Sequence, residues 1–447
     1  MDITVAGGQT RRRLVEKVYM YRVALSDKSG TPYTLDHPQA FLSEKAIERR
    51  ARQHLAVDST DLPISPKYLK LLAECGGEVV SRSKWNNTAV IRTTDTTTVD
   101  RMSSLPFVGS VKKVWTSPDS VAEPKPRPKY HDTLVLHDTT GVKLHGAAED
   151  QLQMLGGVEL HAEGYRGDGM TIAVMDAGFL NADIIPALRR INLIGFVNFA
   201  AASGDNIFTS SAHGTQVLST LATNVPNVYV GAAPDASYWL LRCEDQQSEQ
   251  PVEEDYWAAA AEFADSVGVD VINSSLGFHD YDNPSDSYVY QQQDGATALI
   301  SRTASMLASK GIVLVNSCGN DGMSAWKKIN FPADARNILS VGAVTSTRRN
   351  AAFCSVGPTA DGRIKPEVMA QGSPTMVVTE RGTISSDMGT SFASPLIAGM
   401  VACLWQKYPE KTALEIIDGV KRMGDNYAHP DNIYGYGIPD FSRSLDK

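Results

Sequence analysis

Three short stretches of the 447-residue chain carry side chains that together could activate a nucleophile. Asp176 ends the apolar run Met170-Thr171-Ile172-Ala173-Val174-Met175, and Ala177-Gly178 turns the chain directly after it. Active-site groups of an open parallel sheet collect at the carboxyl ends of strands, so a carboxylate there is well placed. His213 lies in Ser211-Ala212-His213-Gly214-Thr215, where the glycine allows close backbone approach and a helical pattern follows. Ser391 lies in Gly389-Thr390-Ser391-Phe392-Ala393-Ser394-Pro395, ahead of the small and apolar residues Leu396 to Ala402. Taken singly, each has an ordinary reading: a turn or helix cap, a structural histidine, a helix N-cap. Taken together, Asp, His and Ser occur in one of the chain orders in which a single nucleophile-base-orienter geometry arises, and the chemistry it serves is acyl transfer.

In these motifs the chain resembles the subtilisin-like (subtilase) family. Asp176-Ala177-Gly178 looks like its Asp motif, His213-Gly214-Thr215 its His motif, and Gly389 to Pro395 its serine motif; similarity continues from about Gly146 to Asp440. The resemblance implies a serine endopeptidase with Asp176, His213 and Ser391 as its triad. Val315-Asn316-Ser317-Cys318-Gly319-Asn320-Asp321 is similar to the segment that completes the oxyanion hole, which gives that role to Asn320 beside the Ser391 amide. Val271 to Gly277 is similar to the strand bordering the S1 pocket, with Ser275, Leu276 and Gly277 at substrate-binding positions. Phe331-Pro332-Ala333 resembles a stretch where the family keeps a cis proline. Departures from the family's commonest pattern are Ala177, Gln216, Cys318 and Cys354, none of which removes a catalytic group.

The elements that must hold these residues read as two units. Before a proline-broken stretch, Thr116 to Tyr130, strand-like runs at Val18–Leu25, Glu78–Trp85, Thr88–Thr93 and Val108–Trp115 alternate with helices opening at Ser65-Pro66 and spanning about Thr96 to Leu105. This β-α-β-β-α-β order predicts a small ferredoxin-like α+β domain over residues 1–115, interrupted by an insertion at about 31–63 with a charged helix around Ala40 to Arg52. Alternate prolines predict an extended, exposed and cleavable linker over 116–130. Over 131–447, apolar runs at Met170–Met175, Ser237–Arg242, Val269–Ser274, Ile312–Asn316 and Ile338–Val344 alternate with helical ones such as Ala258–Val267 and Thr303–Lys310. That pattern predicts a doubly wound α/β domain with a mostly parallel sheet. The first unit resembles the family's inhibitory pro-domains, and its insertion resembles pro-regions of secreted subtilases from Bacteroidetes-type bacteria. A self-processing zymogen, its own pro-domain as intramolecular inhibitor, and a secreted or periplasmic location are what this resemblance implies, although Met1 to Arg13 holds no apolar signal-peptide core.

Bulk composition narrows the partners. Residues 1–130 carry 21 Lys and Arg against 14 Asp and Glu, whereas the whole chain has a net charge of -9, so the two units should attract each other. Among function classes, a bilayer span is disfavoured because the chain lacks an apolar run of roughly 18 residues, and nucleic-acid binding because it lacks a Lys/Arg block. Polypeptide is the expected substrate. The five cysteines are scattered, without metal-site or disulfide spacing, and are expected to act as small buried hydrophobes. The chemistry needs no cofactor and no catalytic metal. Structural calcium has weak support: Asn224 to Val230 falls where many subtilases bind it but has no carboxylate, and Glu253-Glu254-Asp255 suits a helix start better. Two rival readings stay open at this level: a silent or permanently capped subtilase-fold binding protein, and a peptide ligase on the same fold.

Overall fold

The computed structural model describes residues 12–14, 17–122, 127–130, 143–200 and 206–445. The N-terminal unit is an antiparallel sheet of β1 (Tyr19–Leu25), β2 (Glu78–Ser83), β3 (Thr88–Thr93) and β4 (Val108–Thr116), in the order β2-β3-β1-β4. Helices α2 (Pro66–Glu74) and α3 (Thr98–Ser103) cover one face. Side chains alternate across a strand. Tyr21, Val23 and Leu25 of β1 therefore join Leu72, Met102 and Phe107 in a local core, while Met20 faces the other way. This is the expected ferredoxin-like arrangement. Within the insertion, the charged helix is shorter than the sequence suggests: α1 spans Glu44–Arg52, with the Ser43 hydroxyl accepting from Ala46 N at its start.

The larger sheet has seven parallel strands: β5 (Thr171–Asp176), β6 (Asn192–Asn198), β7 (Ser237–Arg242), β8 (Val271–Ser274), β9 (Val313–Ser317), β10 (Leu339–Thr345) and β11 (Val368–Ser373). Their order is β11-β10-β9-β8-β5-β7-β6. A strand buried on both faces has no polar side to show, which accounts for the continuous apolar run of β5. Ile172 and Val174 pack toward α4 (His213–Ala222) and α7 (Thr390–Lys407); Ala173 and Met175 pack toward α5 (Val252–Ser266) and α6 (Leu299–Met306). Helix α8 (Ala413–Arg422) follows α7.

The stretch expected to be an exposed linker is attached at several points. Ser117 is buried and exchanges hydrogen bonds with Val18, and Ser120–Ala122 pairs with Arg12–Leu14 as a short antiparallel ladder. The prolines leave these residues free to pair because none of them lies within 120–122. Its middle, residues 123–126, lies outside the described residues. All five cysteines are free and buried. Among the described residues, no helix is long and apolar enough to cross a membrane.

Candidate active site

Asp176 closes β5 with its carboxylate fully buried, and one of its oxygens, Oδ1, accepts from the Ala177 amide at 2.8 Å. His213 opens α4, where its backbone amide donates to Ser211 Oγ. The helix seats closely on the strand end because residue 214 is glycine. A Cβ there would lie 2.2 Å from the Gly178 carbonyl oxygen and 2.9 Å from Asp176 Cβ. The result is a two-point contact, with His213 Nδ1 lying 2.9 Å from Asp176 Oδ1 and 3.0 Å from Oδ2. The partner of Nδ1 is a carboxylate, so the proton of the neutral ring belongs on Nδ1 and Nε2 is left as the base.

Ser391 is the second residue of α7. Its hydroxyl donates to the Ser275 carbonyl at 3.3 Å, and the Ser275 hydroxyl donates back to the Ser391 carbonyl at 2.9 Å. The nucleophile candidate is thus stitched to the end of β8. Asn273 extends the stitch by donating to Ser275 Oγ and accepting from Ser394 Oγ. Asn320 lies just past the end of β9, and its Oδ1 accepts from both the amide and the hydroxyl of Thr390, each at 2.9 Å. Two donors on one atom fix which end of the amide is oxygen, so the Nδ2 protons are presented next to Gly389, beside the start of α7. Ser275 and Leu276 are buried, their carbonyls accepting from Ser391 Oγ and Asn316 Nδ2, and Gly277 is exposed at the rim.

Burial by itself lowers the pKa of His213, but the adjacent Asp176 carboxylate and its hydrogen bonds outweigh that, with Glu244 and Asp387 adding to the field; the net result is a rise to about 9. Glu244 follows the carboxyl end of β7; burial first and the Asp176 charge second push its carboxyl up to about 7. The structure therefore brings Asp176, His213, Ser391, Asn320 and Ser275 to Gly277 to one carboxyl edge of the sheet. Sequence reasoning missed Glu244, because nothing in the local pattern shows that its charge acts on a histidine 31 positions earlier. The hold of Thr390 on Asn320 Oδ1 was equally hidden, although the residue lies inside the serine motif.

Glu253, Glu254 and Asp255 begin α5 and are all engaged: Glu253 accepts from Asp245 N, Glu254 from Tyr288 Oη and Ile300 N, and Asp255 from Arg22. The Asn224 side chain is likewise taken, by Arg166 and Asp235, and the 224–230 stretch offers no carboxylate, so these donors do not fit calcium. Among the described residues, no group of three or more His, Cys, Asp or Glu is arranged to hold a metal ion. The Phe331-Pro332 peptide is cis.

Residues 167–437 match the model of the subtilase family, and residues 20–129 match the peptidase S8 propeptide domain of Bacteroidota. Subtilisin NAT of Bacillus subtilis subsp. natto is 28% identical over 376 residues, covering 83% of this chain and 84% of that protein. Subtilisin E of Bacillus subtilis (strain 168) gives the same figures. Subtilisin DY of Bacillus licheniformis is 30% identical over 289 residues, covering 63% of this chain and 92% of its own length. A parallel sheet that gathers an Asp, a His and a Ser at one edge, a propeptide domain ahead of it and a family match over most of the larger unit lead to one assignment: the chain belongs to the subtilase family of serine peptidases.

Proposed function

We propose that this peptidase cleaves polypeptides through a triad of Asp176, His213 and Ser391, and that it is made as a self-processing zymogen. The observation that carries the reading is the fixed pair of His213 and Asp176 with Ser391 and the Asn320 amide at the same sheet edge. A substrate strand lies along Ser275-Leu276-Gly277. The Ser391 hydroxyl turns from the Ser275 carbonyl to His213 Nε2 and loses its proton there as Oγ bonds to the scissile carbonyl carbon. The Ser391 amide and Asn320 Nδ2 hold the oxyanion. Collapse breaks the C–N bond, and His213 returns the proton to the leaving amine. Water then repeats the sequence on the acyl-enzyme.

Residues on both sides of 123–126 are tied to the carboxyl edge of the larger sheet. Trp115 donates to Ser248 and Thr116 exchanges two hydrogen bonds with the Gln250 side chain; beyond the gap, Asn181 donates to the Pro128 carbonyl and Arg127 pairs with Asp183. This tethering supports intramolecular inhibition by the N-terminal unit and cleavage of the linker by the enzyme's own site. As a test, a fluorophosphonate is expected to label Ser391, located by peptide mass mapping, and to stop hydrolysis of a peptide library. Unlabelled Ser391 with undiminished hydrolysis would overturn the assignment. Products joined to an added amine, in place of hydrolysed ends, would mark a ligase.

The elevated histidine has a kinetic signature. Only neutral His213 accepts a proton, so kcat/KM is expected to rise about tenfold per pH unit below an inflection near pH 9. Glu244→Gln removes a negative charge that favours the imidazolium, and the inflection is expected to move to lower pH. Identical pH profiles of kcat/KM for the two proteins would remove Glu244 from the site's electrostatics.

A further inference from the structure

Two of the chain's departures from the commonest subtilase pattern, Cys318 and Cys354, meet in the core beside the segment that carries Asn320. Cys318 follows the end of β9, and Cys354 lies in the loop after β10, 36 positions later. Both are fully buried, and their sulfurs are 3.6 Å apart. A disulfide requires about 2.05 Å, so the sulfurs have to close by about 1.5 Å, a movement that rotation of the two side chains supplies. The backbones that carry them are already paired. The Ser355 amide donates to the Gly319 carbonyl at 3.0 Å, the Gly322 amide to the Phe353 carbonyl at 2.8 Å, and the Asp321 amide to Ser355 Oγ at 2.9 Å.

The two sulfurs are chemically unlike. Both thiols reach the Ser355 carbonyl at 3.4 Å, but only Cys354 Sγ also accepts from a backbone amide, that of Ala343, at 3.2 Å. A hydrogen bond from the Cys318 thiol lowers the pKa of Cys354 below its ordinary value, whereas burial pushes the Cys318 thiol up. The thiolate is the reactive form of cysteine, so Cys354 is the attacking sulfur and Cys318 the resolving one. The remaining cysteines stand apart from this pair. Cys75 Sγ donates to the Leu71 carbonyl in the N-terminal unit and Cys403 Sγ to the Ala232 carbonyl, and Cys243 directly follows β7.

We propose that Cys318 and Cys354 are a peroxide-responsive pair that closes to a disulfide and staples the Asn320 segment to the loop after β10. The Cys354 sulfur attacks one oxygen of hydrogen peroxide, the O–O bond breaks, and a sulfenic acid and one water result. The Cys318 sulfur then bonds to Cys354 Sγ and displaces its hydroxyl, which leaves as a second water with the remaining thiol proton. Two thiols and one peroxide thus become one disulfide and two waters, with two electrons passing from sulfur to oxygen. Hydrogen peroxide is little larger than water, so brief local opening admits it to the buried pair. Once formed, the cross-link closes the loop between residues 318 and 354 and removes conformational freedom from the unfolded chain. A peptidase digests its own unfolded copies, so the stapled form outlasts the reduced one. This last consequence rests on the peptidase reading, whereas the cross-link does not.

The test exposes the full chain, as Ser391→Ala to prevent self-digestion, to hydrogen peroxide and then alkylates it in denaturant. Cys75, Cys243 and Cys403 are expected to be alkylated, and the peptide holding Cys318 is expected to be joined to the peptide holding Cys354 in a mass map. The thermal midpoint is expected to rise by roughly 5 °C, and dithiothreitol should reverse both changes. Cys318→Ala, exposed identically, controls for methionine oxidation, which dithiothreitol does not undo. In this variant dimedone should trap the sulfenic acid on Cys354 and the midpoint should not rise. The exposure is repeated just below the midpoint, where local opening is frequent. Cys318 and Cys354 both alkylated there, or Cys354 carried to a sulfinic acid without a cross-link, overturns the proposal. A cross-link with an unchanged midpoint overturns the stapling role. With Ser391 intact, the cross-linked enzyme is expected to lose activity on a small peptide ester several times more slowly than the reduced one, at the reduced form's midpoint. Equal decay overturns the protective role, whereas no activity in either form counts against the catalytic assignment alone.

Discussion

Ser391→Ala is expected to lower kcat by about a millionfold, the scale on which losing the nucleophile acts in enzymes of this family. The fold should be indifferent to the change. Ser391 is buried at the start of α7, and truncation removes one 3.3 Å hydrogen bond to the Ser275 carbonyl without opening a cavity larger than a hydroxyl. The stability cost is then about 1 kcal/mol, read as a small shift in thermal midpoint. Expressed side by side, wild-type chain should shorten within residues 116–130 over time and the variant should stay at full length. Retained turnover in the variant would remove Ser391 from the chemistry. An uncut wild-type chain that digests peptides freely would show that residues 1–115 are neither removed nor inhibitory.

For Asn320→Ala the expectation is a fall in kcat of about a hundred to a thousandfold with little change in KM, because an amide aimed at the oxyanion acts on the transition state and barely on the ground state. That magnitude is characteristic of subtilisin-type oxyanion donors. The geometry adds a second effect. Thr390 is fully buried, and both its amide and its hydroxyl lose their acceptor when Asn320 is truncated. A stability loss of about 1–3 kcal/mol should therefore accompany the kinetic one. Steady-state kinetics alongside a thermal melt separate the two, and unchanged kcat would take Asn320 out of the site.

The positions of these residues were legible because each lies where a local pattern changes: Asp176 at the end of an apolar run, His213 before a glycine and a helix, Ser391 ahead of a buried helix. Buried parallel strands announce themselves, and Ser237–Arg242 was read to the residue. The two edge strands of the large sheet were not. Asn192–Asn198 is mostly exposed, and Val368–Ser373 ends in Gly372 and Ser373 before a proline, so neither carries the continuous apolar signal of a central strand. Helix α5 begins at Val252, earlier than its apolar pattern suggested, because its first turn holds Glu253, Glu254 and Asp255, acids that suit a helix start. The insertion was legible only as a charged helix. Nothing local ties Arg49 and Arg50 to their partner Asp265, more than two hundred positions away. Charge asymmetry between the units hinted at attraction without telling which residues meet.

The strand order of the large sheet also bears on how the molecule is built. Central β5 lies between β8 and β7, and β6 is reached from β5 only across β7, so neighbours in space are separated by long stretches of chain. Closing such loops costs entropy before any contact repays it, which slows assembly without weakening the finished structure. In the N-terminal unit β2 and β3 are a hairpin joined by four residues, and the whole sheet closes within 98 positions. It is the quicker part to form. Once formed, it presents Met20, Val90 and Trp115 as a ready surface on which α5 and α6 can settle, so the portion of the chain made first can serve as the mould for the portion made last.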